Sequence, residues 1–201
     1  LGDVNESYSY WTFGDVFEEL GVPFTPFHGG FGLVANGCIT KPTFWTFAFY
    51  KKLEESEANC VYKDDNIVVL KRANGDYLGV AWNIARKSTE QGKEKMQLEF
   101  TFPAEQEEYC FLTKTVDEET CNPLKVWHDI GEPANLSEEQ TKLIRESSRP
   151  FVKTERKKQE DGNICVELPV NENGVVYFEL NAGKVNPDRG YDYDRVVSLK
   201  A

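Results

Sequence analysis

The sequence predicts a mainly β protein: an antiparallel β-sandwich preceded by the terminal β–α unit of a larger α/β domain. Three observations carry this expectation. From about Ala58 onward, apolar residues recur with period two in eight short runs separated by turn residues. The first fifty-odd residues read instead as one strand, one long glycine-bearing loop and one helix. A single strand of that kind cannot bury itself, because a parallel strand needs neighbours on both sides and helices over its faces.

In the first segment, residues 8–13 (YSYWTF) are expected as a short strand and Asp15 to Leu20 as a helical turn. The loop GVPFTPFHGGFGLVANG follows, in which Phe27 and Phe31 are read as anchors in the core. Thr40 is placed to cap the next helix and Pro42 suits its first turn. Phe44, Phe47 and Ala48 share a face at helical spacing, and Lys51 and Lys52 complement the dipole at its end.

The later strands are expected at 58–63, 66–72, 77–83, 95–102, 108–116, 151–158, 163–169 and 174–181. Met96, Leu98, Phe100 and Phe102 alternate with polar residues, as a half-buried strand requires. Asn74-Gly75 between two such runs marks a hairpin, since both residues tolerate positive φ. One helix interrupts the strands: Ser137 and Gln140 form a capping box, and Pro150 ends it. Asp117, Glu118 and Glu119 read as a surface loop, Trp127 as core, and His128 as a residue serving the sandwich. The expected division is 1–56 for the β–α unit and 57–201 for the sandwich.

Charge excludes some partners. With 34 acids against 23 bases and a formal net charge of −11, the chain would be repelled by nucleic acid and by anionic membrane surfaces. No apolar run reaches bilayer-spanning length, and nothing at the start reads as a signal peptide. The five cysteines (Cys38, Cys60, Cys110, Cys121, Cys165) are spread out and form no CxxC, and only His28 and His128 exist to join them. No metal and no cofactor is therefore expected. Cys110 and Cys165 lie in apolar strand patterns and read as small buried hydrophobes. Free thiols point to a reducing compartment, hence a cytoplasmic protein. Glycosylation sequons at Asn5 and Asn135 pull toward a secreted one whose signal region lies outside these residues.

The stretches YWTFGDVFEE, PFTPFHGGFGL and KPTFWTFAFYKKL resemble the end of the (β/α)8 barrel in glycoside hydrolase family 39, the β-xylosidases and α-L-iduronidases. NPLKVWHDIGEPANLSEEQTKLIRESSRP is similar to the helix-bearing connection in that family's C-terminal β-sandwich, and GVVYFEL to its last strands. The resemblance spans most of residues 7–181 and fits the xylosidase branch better. It implies that residues 1–56 are the remnant of a truncated TIM barrel, with SYSYWTF as the eighth strand. It also implies retaining hydrolysis by two glutamates held roughly 5 Å apart. In the family these stand in Asn-Glu-Pro and Thr-Glu-Phe-like stretches. Neither stretch occurs here, so the chain alone is expected to be inactive.

Active sites of such barrels lie at the carboxyl ends of the strands. The resemblance therefore makes Trp11 a flat apolar wall for a carbohydrate, with Glu18, Glu19 and His28 on the rim of the same pocket. A carboxylate can accept two sugar hydroxyls, but neighbours on a helix diverge by about 100°. Only one of Glu18 and Glu19 is then expected to face the sugar. Each residue also has a plainer reading: Trp11 as core, the two glutamates as solvated or capping acids, His28 as a loop histidine bonded to a carbonyl. Two other functions stay open, an autonomous carbohydrate-binding module using Trp82 and Tyr77, and a structural domain. Detached from partner strands, residues 8–53 would expose Tyr8, Tyr10, Phe13, Phe44 and Phe47, so self-association or partial disorder is expected.

Overall fold

The structure is a computed structural model that describes residues 7–16, 21, 23, 25–84 and 95–183. A two-residue pair, β1 (Val34–Ala35) and β2 (Ile39–Thr40), precedes helix α1 (Pro42–Glu54). Strands β3 (Asn59–Lys63), β4 (Ile67–Lys71), β5 (Tyr77–Asn83), β6 (Met96–Pro103) and β7 (Glu108–Val116) follow. Two helices, α2 (Pro123–Asp129) and α3 (Glu138–Ser147), come next, and then β8 (Phe151–Lys158), β9 (Asn163–Val170) and β10 (Gly174–Ala182). The long strands form two antiparallel sheets, one ordered β3-β4-β5-β10-β7-β8 and the other β6-β9.

Period-two alternation sets which side chains meet. On one face of the large sheet, Ile67, Val69, Tyr77, Ala81, Tyr109, Phe111, Val176, Phe178 and Leu180 point at the small sheet. There they meet Ile164, Val166, Leu168 and Val170, with Leu98 and Phe100 beside them. Full burial of each such side chain contributes about 1.5–3 kcal/mol, so this layer supplies most of the driving force. Tyr77 lies in it, 4% exposed and packed 4.6 Å from Phe102. It therefore cannot form an exposed sugar platform with Trp82, which is half-buried beside Tyr50 on the other face.

The opposite face carries a second core, built from Leu78, Val80, Val116 and Tyr177 under Phe49 and Leu53 of α1. Phe49 stacks on Tyr177 at 5.4 Å. The buried stripe of α1 thus runs through Trp45, Phe49 and Leu53, not through Phe44, Phe47 and Ala48. Apolar residues surround this helix, so spacing alone left two stripes open and the sheet chose one. Burial raises the pKa of Tyr177, and the carboxylate of Glu179, which accepts its hydroxyl, raises it further.

Local signals act as the sequence reading has them at several points. Asn74-Gly75 turns β4 into β5, with Gly75 at φ +90°. Ser137 accepts from the Gln140 amide at 3.2 Å while the Gln140 side chain accepts from the Ser137 amide at 2.9 Å. Helix α2 was not anticipated, although Asn122 caps it by accepting from the Lys125 amide and Pro123 occupies its first turn. Asp117 is buried, contrary to the surface-loop expectation. Its Oδ1 accepts from the amides of Glu119 and Thr120, and its Oδ2 from Asn171. Cys110 and Cys165 are exposed, because each falls on the outward parity of its strand, and Cys121 is the buried thiol. Strand β8 is a sheet edge: Lys157 meets Glu155 at 3.0 Å, and Lys158 and Arg156 reach Glu108 at 3.6 and 3.9 Å.

Two outcomes follow from this packing. A methyl group on Gly79 would overlap the Val68 carbonyl oxygen and come within 2.5 Å of the Phe178 ring. Gly79→Ala is expected to cost about 3 kcal/mol, read as a lower urea midpoint. Burial, with the Asp117 charge adding to it, pushes the Cys121 thiol up to about 12, so it stays protonated at pH 8. A thiol titration of the native protein at that pH should count Cys38, Cys60, Cys110 and Cys165 at once and Cys121 only after unfolding.

Candidate functional site

Residues 8–13 are not a regular strand. Their backbone pairing is confined to the end of the run, where Leu33 donates to Thr12 at 3.2 Å, Val34 to Phe13 at 2.9 Å and Asp15 to Val34 at 2.9 Å. Gly14 and Val34 form an isolated parallel bridge. One short partner cannot propagate a ladder, and the aromatic residues before it hold on by other means. Tyr8 and Tyr10 lie against Phe47 at 6.0 and 5.2 Å, and the Tyr10 hydroxyl donates to the Phe31 carbonyl at 2.9 Å. Phe31 is itself exposed, so it does not anchor the loop in the core. Phe47 is only half-buried, which leaves the two tyrosines exposed on its surface. Trp11, 67% exposed, projects from this segment.

Directly after it, Asp15 is 3% exposed. Its Oδ1 accepts from the Gly32 amide at 2.7 Å, and its Oδ2 stands 2.6 Å from Lys41 Nζ. Lys41 also donates to the Gly30 carbonyl at 2.6 Å. One ion pair therefore ties the segment bearing Trp11, the loop 28–32 and the start of α1 together. Close approach explains the glycines here. A Cβ on Gly30 would lie 2.7 Å from Asp15 Oδ1 and 2.8 Å from His28 Cε1, and a Cβ on Gly32 would lie 2.6 Å from the Asp15 amide nitrogen. His28 and Asp15 thus pack against the same backbone carbon.

Besides the packing of α1 on the large sheet, the unit meets the rest of the molecule at Ser148, which follows α3. Its carbonyl accepts from the Trp45 indole at 2.6 Å, the Cys121 thiol at 3.2 Å and the Thr40 hydroxyl at 3.3 Å. Thr40 is drawn to Ser148 and does not cap α1, whose preceding residue, Lys41, makes no side-chain cap. Around this point Ala35 and Ile39 pack with Trp127 and Ile144, Phe27 meets Trp127 edge-on at 5.7 Å, and Arg145 donates to the Gly37 carbonyl at 2.7 Å.

Trp11 and His28 therefore sit on one knot of chain, although Trp11 is the more exposed. Glu18 and Glu19 lie outside the described residues. His128 is exposed and bonded to Glu132. The sequence reading passed over Asp15 and Lys41. An acid two residues after an aromatic run and a lysine before a proline are common patterns, and only the fold brings them together. Among the described residues no group of three or more His, Cys, Asp or Glu side chains gathers as a metal site, and no helix is long and apolar enough to cross a membrane.

The sequence model described as "Glycosyl hydrolases family 39" matches residues 1–165. The chain belongs to this family. It is 35% identical over 179 residues to a β-xylosidase of Geobacillus stearothermophilus, covering 89% of this chain and 34% of that protein. It is 31% identical over 184 residues to a β-xylosidase of Caldicellulosiruptor saccharolyticus, covering 88% of this chain and 36% of that one. The chain thus spans about a third of the length of these relatives. The fold matches a crystal structure of a monomeric β-xylosidase from Caulobacter crescentus CB15 with a TM-score of 0.73 and 24% identity, over 89% of this chain and 38% of that one.

Trp45→Phe keeps the ring and removes one donor from the Ser148 carbonyl. Loss of about 1 kcal/mol in unfolding free energy is expected, and an unchanged urea midpoint would show that the indole bond carries no stability.

Proposed function

We propose that this chain is the C-terminal part of a retaining glycoside hydrolase that acts on β-xylosides and xylo-oligosaccharides. In this reading residues 1–56 are the last β–α unit of a (β/α)8 barrel and residues 57–201 a β-sandwich that braces it. The observation that carries the proposal is the family membership joined to two β-xylosidase relatives that match across nearly the whole chain. The local geometry agrees with it. A segment that, among the described residues, pairs only with Leu33 and Val34 and leaves Tyr8, Trp11, Phe13 and Phe31 exposed is read as the edge of something larger. Upstream barrel strands are the proposed cover, and a second copy of the chain is the substitute when they are missing.

Within that barrel Trp11 forms one wall of the sugar subsite, and His28 with one of Glu18 and Glu19 supplies polar contacts. The acid/base and the nucleophile come from another part of the intact polypeptide, so these 201 residues alone bind no substrate productively. Neither a cofactor nor a metal takes part, and the protein works in the cytoplasm.

The test is turnover of 4-nitrophenyl β-D-xylopyranoside by the intact polypeptide, with the first-formed anomer read by NMR. Retained β configuration is expected. Trp11→Ala should lower kcat/KM about tenfold or more, mainly through KM, which corresponds to about 1.4 kcal/mol of binding. Absence of xyloside turnover, or a Trp11→Ala variant with wild-type constants, would refute the reading.

A further inference from the structure

We infer that Asp15 and Lys41 are positioning residues for the sugar subsite: their ion pair sets the placement of the Trp11 wall against the His28 loop. The inference rests on the proposed glycosidase reading and adds two residues that touch no sugar in it. Four observations meet at this pair. The Asp15 side chain is fully buried, and burying a carboxylate is costly unless it is paired and hydrogen-bonded. Its Oδ1 accepts a hydrogen bond from the Gly32 amide, while its Oδ2 is held by the charge of Lys41 and accepts no hydrogen bond among the described residues. Lys41 donates a hydrogen bond to the Gly30 carbonyl, so two points of the loop 28–32 are held by the same two side chains. Finally, the Asp15 amide is itself bonded to Val34, which fixes the chain four residues after Trp11.

The geometry makes Asp15 an unusual place for mere stability. It lies four residues after Trp11, at the point where the segment is bonded to Val34. Lys41 lies next to Thr40, whose hydroxyl meets Ser148 after α3. This junction is one link between the helix pair and the segment that bears the indole. If the pair is broken, the uncompensated charge must find water, the loop must open, and the wall and rim separate. Sugar affinity then falls while the groups that break the glycosidic bond, carried elsewhere, stay in place.

The experiment uses the intact polypeptide and reads two quantities, affinity for xylobiose by calorimetry and the kcat and KM for an aryl xyloside. Asp15→Asn keeps an acceptor for the Gly32 amide and removes the charge, and Lys41→Met removes the partner. Each should weaken xylobiose binding and raise KM at least tenfold with kcat within about threefold. The double variant should be no worse than the worse single one, because one interaction is lost either way. Lys41→Arg, which keeps the charge, should recover most of the affinity. Thermal unfolding is followed in parallel. Variants that melt earlier yet bind xylobiose as the wild type does would overturn the inference and make the pair purely structural. Additive losses in the double variant would overturn it as well. A wild type that binds xylobiose without hydrolysing any xyloside would sink the proposed catalytic reading and leave the binding comparison to decide this one. A wild type that binds no xylobiose would sink both.

Discussion

A single carbonyl oxygen, that of Ser148, gathers three donors that are far apart in the sequence. It receives the Trp45 indole, the Cys121 thiol and the Thr40 hydroxyl, donors from α1, from the loop after β7 and from β2. The constraint behind it is general: the last carbonyls of a helix lack intrahelical partners and, where water is excluded, must be satisfied by something else. Here the unsatisfied end of α3 becomes a socket. The N-terminal unit enters it, and the apolar cluster of Ala35, Ile39, Trp127 and Ile144 closes around it.

From that socket outward the structure reads as a relay of short polar links. Thr40 meets Ser148, Lys41 follows in the chain, Lys41 meets Asp15, and Asp15 meets the loop of Gly30 and Gly32. Glycine is required where backbone and carboxylate come into contact, and aromatic residues line the exposed side. The sandwich contributes bulk and stiffness through its inter-sheet core. It reaches the candidate site through α1, which packs on the large sheet, and through the helix pair between β7 and β8.

Much of the sandwich was legible in the sequence, because strand side chains alternate and burial follows the alternation. The eight expected strands differ from the observed ones by no more than a residue at each end. The capping box at Ser137 and the turn at Asn74-Gly75 are local chemistry and needed no fold to be seen. What was hidden depended on distant partners. Thr40 has the look of a cap until Ser148 is brought beside it. Residues 8–13 have strand composition but, among the described residues, pair only with Leu33 and Val34 at their end. Asp117 is a loop acid by sequence and a buried organiser of its own turn by geometry. Cys110 and Cys165 were misplaced because period-two patterns fix a parity only relative to a face that the sheet chooses. Trp11 and His28 were reached through family likeness, whereas Asp15 and Lys41 show themselves only once Gly30 and Gly32 are seen packed between them.

The strand β8 has a consequence for how this sheet behaves in a crowded solution. Laid antiparallel against its own copy about the Thr154–Glu155 step, it would set Lys153 opposite Arg156 and bring further lysines in behind them. Like charges facing across a ladder repel. At the opposite edge, the irregular register between Cys60 and Tyr62 interrupts the row of free amides that an incoming strand would need. One border is thus guarded by charge and the other by shape.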